Sequence, residues 1–170
     1  NSKAAFGDTA KKYAMKKALE IVTRKVVHGF KSEWMERGNE LEPIACELYQ
    51  DQTFNDVKNG GFIEADWLGA SADGLISDNA GIEIKCVAFN THFERLRKQG
   101  FDLTYKWQIQ GNMWLYNLEY MDFVQYCPDF PEHKQLYIFK VERDNEMIKQ
   151  LQERLKEFKK LLAAYVDLIK

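Results

Sequence analysis

Residues 73–85, Asp73-Gly-Leu-Ile-Ser-Asp-Asn-Ala-Gly-Ile-Glu83-Ile-Lys85, decide the reading of this chain. Side chains along a strand point alternately to its two faces. Glu83 and Lys85 therefore share one face, about 7 Å apart in Cα position, and Ile82, Ile84 and Cys86 share the other. The apolar face has a destination in a core. The turn around Asp78-Asn79-Ala80-Gly81 folds the chain back, and a hairpin of this length can bring Asp73 beside Glu83. Two carboxylates at one point repel unless a proton or cation relieves them. Hard oxygen donors without His or Cys suit Mg²⁺ or Mn²⁺. A neighbouring lysine can steady a water or the charge developing on phosphorus. Such an assembly suits phosphodiester hydrolysis. An ExK triplet on a strand is also what a solvated sheet edge produces, so the rest of the chain must decide.

Outward from this hairpin, the periodicity changes twice. Residues 8–27 read as a helix with Tyr13, Leu19 and Val26 among its apolar positions. A second helix runs from Ser32 or Glu33 to Gln50, with Trp34, Leu41, Ala45, Leu48 and Tyr49 inward and Pro43 a potential kink. Short runs from Thr53 to Val87, broken by turn signals, predict a meander of strands. Residues 91–98 and 103–117 read as helices, 119–126 and 135–142 as strands, and 144–168 as a closing helix with apolar residues every three or four positions. That order predicts an α/β fold with a mixed central β-sheet flanked by α-helices, formed as a single domain over 1–170.

Composition narrows the function. The 170 residues carry 24 Lys and Arg against 26 Asp and Glu, a net charge of -2. The average hides a pattern: 1–37 is net +5, 38–90 net -8, 91–117 net +2 and 118–170 net -1. The basic segment can neutralise phosphates, or form the wet face of a helix; the acidic middle can hold cations. Three scattered cysteines and three scattered histidines exclude a Cys/His zinc cluster and fit a reducing compartment. Nucleotide-binding glycine loops and the serine-hydrolase elbow are absent. No apolar run reaches the ~18 residues of a membrane span, and no secretory leader is visible.

Four motifs in order resemble the PD-(D/E)xK nuclease superfamily and, more narrowly, the phage lambda exonuclease family, also called YqaJ-like viral recombinases. ERGNELEP at 36–43 resembles the family's RG-x-x-LE helix. SADGLISDNAGIEIKC at 71–86 resembles its acidic core. YKWQIQGNMWLYN at 105–117 resembles its Q-x-Q helix, and LYIFKVERDNE at 136–146 its closing strand and turn. The resemblance covers roughly residues 1–160.

What the resemblance implies is specific. The fold would have a restriction-endonuclease-like core. Asp73 and Glu83 match the metal-binding acids, Glu42 a helix-borne acid at the same site, and the Ile84 carbonyl a further ligand. Lys85 and Gln108 match residues that orient the attacking water. Ser2 resembles a serine near the terminal phosphate of DNA, and Arg37 lies in the RG pair as a phosphate contact. Arg95, Arg97 and Lys98 are phosphate contacts or solvated charges. The implied activity is Mg²⁺-dependent hydrolysis, with two ions and Mn²⁺ able to substitute. It acts from ends of double-stranded DNA, 5′ to 3′, leaving 3′ single-stranded tails for recombination. A homotrimer, a single-strand annealing partner and the cytoplasm of a bacterial or phage-infected cell come with the family. An endonuclease on the same fold and a non-catalytic DNA-binding module are the alternatives. On the residues alone, His92 reads as surface, Gln108 and Gln110 as a wet helix face, and Trp107, Met113, Trp114 and Tyr116 as core.

Overall fold

The computed structural model describes residues 5–27, 29 and 32–170, so Ser2 lies outside the described residues. The chain divides into two units. In the first, helix α1 (Asp8–Thr23) packs on helix α5 (Asn145–Ile169). Ala14 and Ala18 are the buried residues of α1, while Tyr13 and Leu19 are about half exposed. The helix stops at Arg24 in the left-handed region, four residues before the expected end, which leaves Val26 outside it and exposed. Small residues let the helices approach, and rings fill the flanks: Phe6 meets Phe158 edge-on at 5.7 Å, and Tyr13 lies 6.0 Å from Phe158.

The second unit, 31–144, holds the sheet. Helix α2 (Glu33–Thr53) starts where the Ser32 hydroxyl accepts the Met35 N–H at 3.3 Å, an N-cap that satisfies an otherwise unpaired donor. The helix runs on through Pro43. Five strands follow: β1 (Lys58–Asn59), β2 (Ile63–Ala65), β3 (Leu68–Ala70), β4 (Gly74–Ser77) and β5 (Ala80–Cys86). Helices α3 (Phe89–Lys98) and α4 (Lys106–Leu115) come next, then β6 (Tyr120–Tyr126) and β7 (Leu136–Glu142). The main sheet has the order β1-β4-β5-β6-β7, and β2-β3 form a separate antiparallel pair. Only β5 and β6 are parallel within the main sheet, so the chain between them must cross over, and it does so through α3 and α4. The mixed α/β fold expected from the sequence is the fold observed. The run Thr53–Val57 is not a strand: Thr53 ends α2 and Phe54 caps it in the left-handed region.

Alternation assigns the two faces. Ile82, Ile84, Val124, Tyr126 and Leu136 pack with Ala45 and Tyr49 of α2. Met121, Phe123 and Val141 pack with Ile109 and Met113 of α4 on the other side. The Tyr49 hydroxyl donates to Asp122 Oδ2 at 2.6 Å and ties α2 to β6. Three expectations about burial fail. Trp34 is 62% exposed, in the first turn of α2, with the Arg37 guanidinium over its ring. Gln110 is buried, its amide donating to the Glu142 carbonyl and its oxygen accepting the Asp144 N–H. His92 is fully buried against Phe130: Nε2–H donates to the Lys134 carbonyl at 2.8 Å, and Nδ1 faces the Gln125 amide at 3.3 Å. Of the aromatic and methionine positions read as core on α4, Met113 is buried, whereas Trp107 is 41% exposed.

Candidate active site

The β4–β5 hairpin pairs Gly74 with Ile82, which sets Asp73 next along the register, level with Glu83. Asp73 Oδ2 accepts the Ile84 N–H at 2.7 Å. The aspartate is thereby fixed where β4 begins, against the backbone of the strand that carries the second acid. Gly74 makes this approach possible, since a Cβ there would meet Val57 Cγ1 at 2.3 Å and the Lys58 carbonyl oxygen at 3.2 Å.

Glu83 has no exposed surface. A buried carboxylate is costly unless charge and hydrogen bonds compensate, and here three donors converge on it. Lys85 Nζ lies 2.5 Å from Oε1, Gln108 Nε2 donates to Oε1 at 2.6 Å, and Asn112 Nδ2 donates to Oε2 at 3.3 Å. Burial, with Asp73 and Glu42 adding to it, raises the Glu83 pKa despite Lys85. Burial alone would lower the Lys85 pKa, but Glu83 and Asp73 outweigh it and the ammonium is held above its ordinary value. Its Nζ also stands 5.2 Å from the centre of the Tyr105 ring. Lys85 is therefore charged at neutral pH.

On the other side of the same strand, a cleft of about 340 Å³ is lined by Glu42, Cys46, Lys58, Ser71, Asp73 and Ile84 among others. Glu42 comes from α2, one residue before Pro43. Burial, then the nearby Asp73, push its carboxyl up, with Lys85 opposing. Glu40 lines a different recess with Glu33, Glu36 and Arg37, which separates the two acids of the ELE run. Burial and the neighbouring Glu42 and Asp73 raise the Cys46 thiol, so it offers no thiolate. Of the three acids, Glu42 and Asp73 line the cleft, while Glu83 is enclosed by Lys85, Gln108 and Asn112. Among the described residues, no three His, Cys, Asp or Glu side chains form a ready-made cation cage. The donor chemistry nevertheless fits a hard divalent ion: Asp73 acts electrostatically on both Glu42 and Glu83, and those two acids have raised pKa values that a cation would relieve.

The basic positions fall into two groups. Arg95 is largely covered, 3.9 Å from Asp102, and Arg37 lies 3.8 Å from Asp129 with its guanidinium over Trp34. Arg97 and Lys98 are exposed, both on Glu94, at 2.7 and 3.1 Å. Sequence reasoning missed Asn112, Tyr105 and Lys58. For Asn112 a signal existed, because it follows Gln108 by one helical turn and so shares its face. Tyr105 opens the YKWQIQ motif, which marked its place without a role, and nothing local marks Lys58.

The YqaJ-like viral recombinase domain matches over residues 2–119. The alkaline exonuclease LHK-Exo from Laribacter hongkongensis superposes with a TM-score of 0.88 at 27% identity, covering 99% of this chain and 87% of that one. Its complex with dAMP matches with the same TM-score at 30% identity, covering 99% and 85%. A phage-related exonuclease from Haemophilus somnus 129PT shares the fold, with a TM-score of 0.78, 21% identity, and coverage of 96% and 85%. No curated protein matches. Among the described residues, no helix is long and apolar enough to cross a membrane.

Proposed function

This chain belongs to the YqaJ-like viral recombinase family, and from that membership we propose that it is a Mg²⁺-dependent exonuclease acting on the ends of double-stranded DNA. The exonuclease activity of LHK-Exo, matched at 30% identity across nearly the whole chain, supports the reaction class. The observation that carries the site is the charged Lys85 bound to a fully buried Glu83, on the strand whose Ile84 lines a cleft with Glu42 and Asp73.

Glu42, Asp73, Glu83 and the Ile84 carbonyl are the groups that would hold the ion. When bound, Mg²⁺ supplies a lowered pKa for water and neutralises charge on the scissile phosphate. The chain's own residues do the rest. Asp73 is pinned through Oδ2 by the Ile84 N–H and lines the cleft, which leaves its second oxygen for the ion. Lys85 keeps its proton and presents a positive charge to the attacking oxygen or the phosphate. Gln108 shares Glu83 Oε1 with Lys85 and fixes both. Ser2, Arg37, Arg95, Arg97 and Lys98 are the proposed backbone contacts. The 5′-to-3′ direction, the 3′ tails, the second ion, the annealing partner, the trimer and the cytoplasmic location belong to the same proposal and rest on the resemblance.

The test compares linear with covalently closed circular duplex in Mg²⁺ and in EDTA. Linear DNA should be degraded from its ends with Mg²⁺ only, and circles should survive. Cutting of circles would move the assignment to an endonuclease, and inactivity on both would end the nuclease reading.

A further inference from the structure

Three polar side chains of the α4 segment, at positions 108, 112 and 116, recur at four-residue spacing on one face. Gln108 reaches only the Glu83 carboxylate. Tyr116 reaches the segment before Asp73 and the β1–β2 connection: its oxygen accepts the Ala72 N–H at 3.2 Å, and its hydroxyl donates to the Gly61 carbonyl at 2.9 Å or the Ala70 carbonyl at 3.2 Å. Asn112 lies between them and reaches both. Its two amide hydrogens divide, one toward Glu83 Oε2 at 3.3 Å and one toward the Ser71 carbonyl at 3.5 Å. The residue is 5% exposed, so water does not replace either partner easily.

We propose that Asn112 is a positioning residue for the nuclease reaction, setting the distance between the buried Glu83 carboxylate and the strand end that carries Asp73. This inference rests on the nuclease reading. The geometric reason is that Ser71 and Asp73 flank one residue, so holding the Ser71 carbonyl fixes the direction in which the chain delivers Asp73. The same amide fixes the rotamer of Glu83. One side chain thus references two acids to a single rigid helix. Without it, Glu83 keeps Lys85 and Gln108 on Oε1 but loses the donor on Oε2, and its carboxylate plane is free to turn. Lost outer-shell support of this kind lowers activity or ion affinity by about 10- to 100-fold.

The test uses Asn112→Ala in the full chain, with two readouts. On linear duplex, kcat should fall by about tenfold or more while the KM for DNA ends stays within about twofold. By calorimetric titration without DNA, Mn²⁺ affinity should weaken by about fivefold or more. Wild-type kcat together with wild-type Mn²⁺ affinity overturns the inference, as does a change confined to KM. Should Asn112→Ala fail to fold, Asn112→Ser decides: its hydroxyl is too short to span Glu83 and Ser71, so the same losses are expected, and wild-type values reject the role. A wild-type chain that binds Mn²⁺ but degrades no DNA would defeat the nuclease reading. A weakened Mn²⁺ titration in Asn112→Ala would then still show that the residue sets the two acids, but its role in the nuclease reaction would fall with that reading.

Discussion

Glu83 occupies an interior strand position beneath the amides of α4, where a leucine would avoid the cost of desolvation. Three donors hold it there, and Lys85 contributes the only charge. Replacing Lys85 with Met keeps the stem and removes the ammonium. We expect the hydrolysis rate to fall about 10²- to 10⁴-fold with KM for DNA ends little changed, measured on end-labelled linear duplex. His92 makes a second prediction at this scale. Burial lowers its pKa, with the Lys134 carbonyl opposing, so the unfolded chain takes up the proton first as pH falls. Native stability should then decline below about pH 6.5, by at most about 1.4 kcal/mol per pH unit until the native imidazole also protonates. Urea unfolding at pH 7.5 and 5.5 checks this, and His92→Gln should show the shallower dependence. An equal pH response in both proteins would rule His92 out as the source.

At the scale of elements, the β4–β5 hairpin depends on a glycine chosen for space. Gly74→Ala drives a methyl into Val57 and the Lys58 carbonyl, and β1 must shift outward. The expected cost is about 1–3 kcal/mol in urea denaturation, with activity reduced because Lys58 and Asp73 line the same cleft. The strands β5, β6 and β7 and the helix α5 were legible because their signals are local, an alternation or a three-to-four period within one run. The hairpin geometry at Asp73 followed from turn length and pleat alone. The burial of Glu83, His92 and Gln110 was not legible. Each is covered by an element distant in sequence, and a polar residue beneath a helix looks the same in one dimension as a polar residue beneath water. Trp34 erred the other way, since an aromatic at a helical period does not say which face finds a partner.

Across the whole molecule, charge is divided along the chain more than its net value suggests. The acidic stretch 38–90 supplies Glu42, Asp73 and Glu83, while exposed cations such as Arg97 and Lys98 lie beyond it. Binding of duplex ends, measured in Ca²⁺ by fluorescence anisotropy, should weaken steeply as salt rises from about 50 to about 200 mM. Arg97→Ala with Lys98→Ala should reduce the log–log salt slope by about one for each phosphate no longer neutralised. An unchanged slope would mark both as solvated charges. The parallel pairing of β5 with β6 has a last consequence. No tight turn can join those strands, so residues 87–119, Gln108 and Asn112 included, form the connection between them. The detour that the topology demands is therefore put to use: the same excursion that links the two strands delivers the amides that shield Glu83 from solvent.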